Sequence, residues 1–255
     1  MEARAFSPVL KKLIPVLLTI IIVAWLYKFY GAWAYTIKNL AEFFRLTLEH
    51  LLLVIISMAA AVTIGVGLGT LMTRKGFDRL SPAIMGVVNV WQSVPSLGGI
   101  ALAYGFLPLL GLSGIGIVPA LIALFFNAVA PIVRNTYAGI EAVSKDVIEA
   151  ATGMGMNPKQ ILFRIELPNA LPVIMGGVRT STAIIVGTAP LAFLIGGGGL
   201  GFWIFTGIAL MDMGIMMAGA VPVALIAMLA DAALERMEKI VVSKGIQAEE
   251  YQVAM

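Results

Sequence analysis

Residues able to make or break bonds are scarce in this chain of 255 residues and scattered along it. Cysteine is absent and histidine occurs once, at His50. That removes disulfides, thiol nucleophiles and cysteine-held zinc, and leaves too little imidazole for a histidine metal centre, so no metal site is expected. No pair of acids or histidines is gathered at the edge of an apolar stretch, as general acid–base work would need. No G-x-x-x-x-G-K-[ST] occurs, and "GGGGLG" (196–201) lacks the lysine that would meet a phosphate. The chain is therefore not expected to be an enzyme or to bind a cofactor. Polar residues concentrate instead in "EAATGMGMNPKQILFRIELPNALP" (149–172), a stretch with charge, a glycine turn and three prolines. The chemistry such a stretch offers is recognition of a partner, and the elements around it decide which partner.

Those elements are apolar. Sixty per cent of the residues are hydrophobic and 12% charged, with a mean hydropathy of +0.98; soluble domains carry about 25% charged residues. Such a surface must meet lipid or other subunits, so this is an integral membrane protein. The net charge of +3 reflects basic loops rather than nucleic-acid binding. A span needs about 20 apolar residues, which predicts six helices near 13–27, 51–73, 82–106, 116–134, 171–195 and 213–234. "LPLLGLSGIG" (107–116) and "GGGGLG" divide runs too long for one crossing.

With the N-terminus inside, all but Lys28, Lys38 and Arg45 of the 17 basic residues fall on the cytoplasmic side, as the positive-inside rule requires. A cleaved leader ending at "AWA" (32–34) would reverse that bias, so the first span is expected to remain as an anchor. The 149–172 stretch then faces the cytoplasm, and both termini lie there too.

Ser144 is positioned to cap a short helix with Asp146 in its first turn. Gly153 and Gly155 permit a turn. Asn157, Pro158 and Gln160 read as a capping box opening a second helix, which "LP" (167–168) is expected to disrupt. Two short helices joined at an angle suit docking better than mere connection.

The same residues resemble the EAA loop of ABC importer permeases. Glu149, Ala150, Ala151, Gly155, Leu167 and Pro168 fall on that family's pattern. The resemblance implies a MetI-like all-α membrane fold of about six helices. It further implies that the loop, about 140–170, forms coupling helices seated on a separate ATPase chain, with Glu149 near a basic group there. "QSVPSLGGIAL" (92–102), "PIVRNTYAGI" (131–140) and "LIGGGGLGFWIFTGI" (194–208) are similar to the osmoprotectant, or Opu-type, branch, which imports glycine betaine, choline, carnitine and related amines. Family permeases often read "GAGGLG" where this chain has Gly197.

The implied partners are two ATPase subunits carrying ATP and Mg, a second permease copy or a similar permease, a substrate-binding protein and membrane lipid. The implied location is a bacterial or archaeal cell membrane. An amino-acid permease, as for methionine, is the alternative within the family, and an ion-coupled secondary transporter the alternative outside it. The chain divides into residues 1–40 with the first span, a permease domain 41–240 and a cytoplasmic tail 241–255.

Polar groups inside spans mark a candidate substrate path. Asn89, Trp91, Gln92, Ser93 and Ser96 cluster around Pro95, with Asn127, Thr182 and Thr188 on later spans. Aromatic faces at Trp91, Tyr104, Phe125, Phe126, Trp203 and Phe205 could hold a quaternary ammonium. Gly196, Gly197, Gly198 and Gly199 are expected to break the helix near the outer surface as part of a gate. His50, at the edge of a span, is expected at the outer interface.

Overall fold

A computed structural model describes residues 8–77 and 79–242, with side chains from Leu18 onward except Ile20. The helices are α1 (Pro8–Phe29), α2 (Ala32–Lys38), α3 (Leu40–Met72), α4 (Ser81–Gln92), α5 (Ser96–Phe106), α6 (Ile117–Glu141), α7 (Lys145–Gly153), α8 (Pro158–Ile161), α9 (Leu167–Thr188), α10 (Gly201–Ala209) and α11 (Met213–Val241). No strand occurs among the described residues. Among the described residues, four stretches are long and apolar enough to cross a bilayer: α3, α6, the continuous run Pro158–Ile195 and α11. The α4–α5 pair makes a fifth when counted as one span, bent by 104°. The first of the six expected spans falls on α1. Residues 1–7 and most of the 241–255 tail lie outside the described residues.

Helix α6 is the hub, flanked by α3 and α9, with α4 and α5 also against it. Lipid tails are as apolar as leucine, so helices associate here by close backbone approach and by interhelical hydrogen bonds. Gly65 and Gly69 supply the approach. A Cβ on Gly65 would come within 2.8 Å of Ile132 Cγ2, and one on Gly69 within 2.6 Å of Thr136 Cβ. Ser181 Oγ donates to the Ala128 carbonyl at 2.7 Å, joining α9 to α6.

Two expectations change. The helix opened by Pro158 does not end at Leu167–Pro168. It passes through a π turn at Leu162–Glu166 and continues as α9. Pro168 removes one backbone donor, and the wider turn accommodates that without stopping the helix. Asn169 Nδ2 donates to the Ile165 carbonyl at 2.7 Å in the same place. The span expected at 82–106 is broken rather than kinked, because Pro95 takes extended backbone (φ −57°, ψ 142°).

Candidate functional site

Apart from the continuity through Leu167–Pro168, the loop between α6 and α9 is built as the residue pattern requires, with one exception. Helix α7 ends in a Schellman motif. The Met156 amide donates to the Ala151 carbonyl at 3.1 Å and the Gly155 amide to the Thr152 carbonyl at 2.9 Å. Gly155 alone in this turn takes positive φ, +81°, where a side chain would be strained. Asn157 and Gln160 then form a complete capping box: the Gln160 amide donates to Asn157 Oδ1 at 3.0 Å and the Asn157 amide to Gln160 Oε1 at 2.9 Å. The exception is Ser144, which occupies the N-cap position without a side-chain hydrogen bond.

Of the predicted loop residues, Glu149 and Ala150 are exposed while Ala151 is buried and anchors α7. Leu167 and Pro168 lie half-buried at the start of α9. Val147, Met154 and Phe163 are large, apolar and exposed around Glu149 and Gly155 in sequence.

Ion pairs that the residue pattern did not reveal fasten this end. Arg74, just past α3, meets Glu166 of the π turn at 2.6 Å, as an ion pair without an aligned hydrogen bond. Arg179 on α9 contacts Asp231 at 2.9 Å and Glu238 at 3.3 Å on α11. Arg74 and Arg179 served only as topology markers in the sequence. Nothing local in a sequence pairs residues 92 positions apart.

The predicted pathway residues gather around the α4–α5 break. Arg134 Nη2 donates to Asn89 Oδ1 at 2.5 Å, and Ser93 Oγ to the Asn89 carbonyl at 3.1 Å. Gln92, Ser93 and Pro95 are exposed and Ser96 half-buried. Trp91 stacks obliquely on Phe126 at 4.8 Å. A Cβ on Gly99 would stand 3.5 Å from Asn127 Oδ1 and 3.8 Å from Trp91 Cζ2, so the break brings Trp91 and Asn127 to one place. Trp91 Nε1 and Asn127 Nδ2 are enclosed donors without a partner among the described residues. Thr182 and Thr188 do not join this cluster by any hydrogen bond. Thr182 donates to the Val178 carbonyl and Thr188 to that of Ile184, both on their own helix. Among the described residues no group of acids and histidines could hold a metal ion.

At the opposite end, Gly196, Gly198 and Gly199 take positive φ and form a tightly packed corner. Glu49 Oε2 accepts the Gly199 amide at 2.9 Å, and its Oε1 pairs with Arg45 at 2.6 Å. Trp203 is fully buried, donates Nε1–H to Glu42 Oε2 at 3.0 Å and stacks on Phe43. Its ring is thus committed to packing. His50 is not at an interface but fully buried beside Gly199. The reason is that α3 starts at Leu40, eleven residues earlier than the apolar run, so His50 faces the core rather than the helix end.

A bundle of apolar helices with one structured polar loop and a polar break inside it defines a multi-pass membrane transport component. The chain belongs to the family of binding-protein-dependent transport system inner membrane components, whose pattern matches residues 65–243. It is 43% identical over 209 residues to the choline transport system permease protein OpuBB of Bacillus subtilis, covering 82% of this chain and 93% of that one. It is 42% identical over 209 residues to the glycine betaine/carnitine/choline transport system permease protein OpuCB of the same organism, with the same coverage. A chain of the MetNI methionine ABC transporter, solved in inward-facing conformations, shares the fold with a TM-score of 0.71 at 24% identity, over 79% of this chain and 97% of that chain.

Proposed function

We propose that this chain is the membrane-spanning subunit of an ATP-driven importer for quaternary-amine osmoprotectants such as glycine betaine, choline or carnitine. The observation that carries this reading is a capped, exposed helix pair, bearing Glu149, Ala150, Ala151 and Gly155, in a chain 43% identical to a choline permease. Likeness to a methionine transporter at 24% identity supports a common fold and no more.

Two copies, or this chain and a similar one, enclose the pathway. Two ATPase chains, which bind ATP and Mg, receive the α7–α8 loop through Glu149 and the apolar patch at Val147, Met154 and Phe163. The loop and both termini are cytoplasmic, and a binding protein delivers substrate to the opposite face. ATP binding draws the two loops together, and the helices above them shift between inward- and outward-open arrangements. The ATPase's preference for one arrangement drives the change.

Along the path, Trp91 and Phe126 present aromatic faces to the ammonium group, and the N–H groups of Trp91 and Asn127 meet a carboxylate or hydroxyl oxygen. The Gly196–Gly199 corner acts at the outer gate.

The test is ATP hydrolysis by the chain copurified with its ATPase, with binding protein loaded with betaine, choline or methionine. Betaine or choline is expected to stimulate hydrolysis. Glu149→Lys and Gly155→Pro are expected to insert normally and to lose that stimulation. Normal uptake by both variants overturns the docking role of the loop; stimulation by methionine alone overturns the substrate class.

A further inference from the structure

Helix α1 lies wholly before the family-matched region, which begins at residue 65. Its far end is pinned. The Tyr30 carbonyl lies so close to Gly214 that a Cβ there would stand 2.4 Å away. Gly31 (φ +73°) then turns the chain into α2, which packs on α11. Tyr27 shares a hydrogen bond of 2.6 Å with Thr36 across this corner. Beside the corner, residues of α1, α2, α3 and α11 line an open trough of about 1360 Å³.

Its lining includes Lys28 and Trp33 beside the corner, Thr47 about two turns into α3, and Val221, Leu225 and Leu229 further along α11. From Met217 to Leu229 the wall along α11 is about 18 Å long at 1.5 Å per residue, close to the ~15 Å depth of one leaflet's hydrocarbon. No acidic side chain lines it, and Lys28 forms no ion pair among the described residues. Thr47 Oγ1 is an enclosed hydroxyl without a hydrogen-bond partner there.

We infer that this trough binds an anionic glycerophospholipid from the leaflet at the α1–α2 corner, which is the outer leaflet in the orientation proposed above. Its acyl chains lie along Val221, Leu225 and Leu229. Its phosphate meets the Lys28 ammonium, and an ester oxygen accepts the Thr47 hydroxyl. The lipid fills the trough beside the pinned corner, and so ties the additional helix to the permease core.

The test is native mass spectrometry of the full-length chain released from nanodiscs of mixed phosphatidylglycerol and phosphatidylcholine. The unmodified chain is expected to retain phosphatidylglycerol preferentially. A basic residue near a membrane surface contributes about 1 kcal/mol toward an anionic lipid, so Lys28→Gln is expected to lower that preference about fivefold. Ala224→Trp, which puts a ring into the trough, is expected to expel both lipids; a photo-crosslinking residue at Leu225 in the otherwise unmodified chain is expected to label lipid. Equal retention of the two lipids by the unmodified chain, an unchanged preference in Lys28→Gln, or a chain-to-chain cross-link from Leu225 would each overturn the inference. None of these readouts requires transport.

Discussion

At the end of the bundle that carries the α7–α8 loop, Arg74 meets Glu166 and Arg179 meets Asp231 and Glu238, charge against charge between helices. At the opposite end, Glu49 and Glu42 hold a backbone amide and an indole N–H, and glycines bring the backbones together. The difference concerns what happens when each junction is disturbed. Breaking the Arg74–Glu166 pair from the arginine side strands a nearly enclosed carboxylate, which is costly. Asp231 is half exposed, so its pair with Arg179 contributes less. At the glycine corner the half-buried Glu49 accepts the amide of a buried residue, so losing it costs one charge-assisted hydrogen bond rather than a stranded charge. The loop end therefore carries the larger penalty for losing one partner, and the glycine end the smaller.

The contrast is broken most severely at Arg74. Arg74→Leu leaves the Glu166 carboxylate nearly enclosed, and a loss of about 3 kcal/mol is expected. A fall in the thermal midpoint that is largely restored in Arg74→Leu/Glu166→Leu would verify it. If the single variant melts as the parent does, the pair is not a fastening.

Glu49→Leu comes next. It orphans the Gly199 amide and releases Arg45, for a loss of about 2 kcal/mol. Hydrogen exchange is expected to rise at residues 197–203 with no change around Glu166. A matching rise at both ends would show that they are one unit rather than two.

The smallest effect concerns Gly197, where family relatives often carry alanine. A Cβ there would stand 2.8 Å from Ala120 Cβ and 2.9 Å from Ala192 Cβ. Gly197→Ala is expected to cost about 1–2 kcal/mol by overpacking, and Ala120→Gly in the same chain to recover only part of it, because the Ala192 Cβ and carbonyl oxygen stay in the way. Thermal melts of the single and double variants measure this directly.

How far all this could be read from residues depends on the range of the interaction. The capping box at Asn157 and Gln160 and the αL turn at Gly155 involve neighbours a few residues apart, and their residue types announce them. The broken helix at Pro95 was legible as a disturbance, though not as a right-angled one, because a proline constrains its own φ but not the direction of the chain beyond it. Short helices α2 and α10 carry no span-length signal and were missed. The continuity through Leu167–Pro168 was misread because a π turn leaves no compositional mark. Arg74–Glu166 and Glu49–Gly199 join residues 92 and 150 positions apart. They become visible only once the helices are placed.

The unbroken run from Pro158 to Ile195 is 38 residues, or about 57 Å of helix. One rod thus begins inside the structured loop and ends at the glycine corner on the far side of the bilayer. A sideways push on its lower end has two outcomes: the rod tilts as a whole, or it flexes where its hydrogen bonding is already irregular, at Leu162–Glu166. Because Arg74 grips the π turn itself, the pivot lies at the point of flexure. A turn that flexes absorbs such a push locally, whereas a turn held stiff by Arg74 and Glu166 would carry it on along the rod toward Ile195.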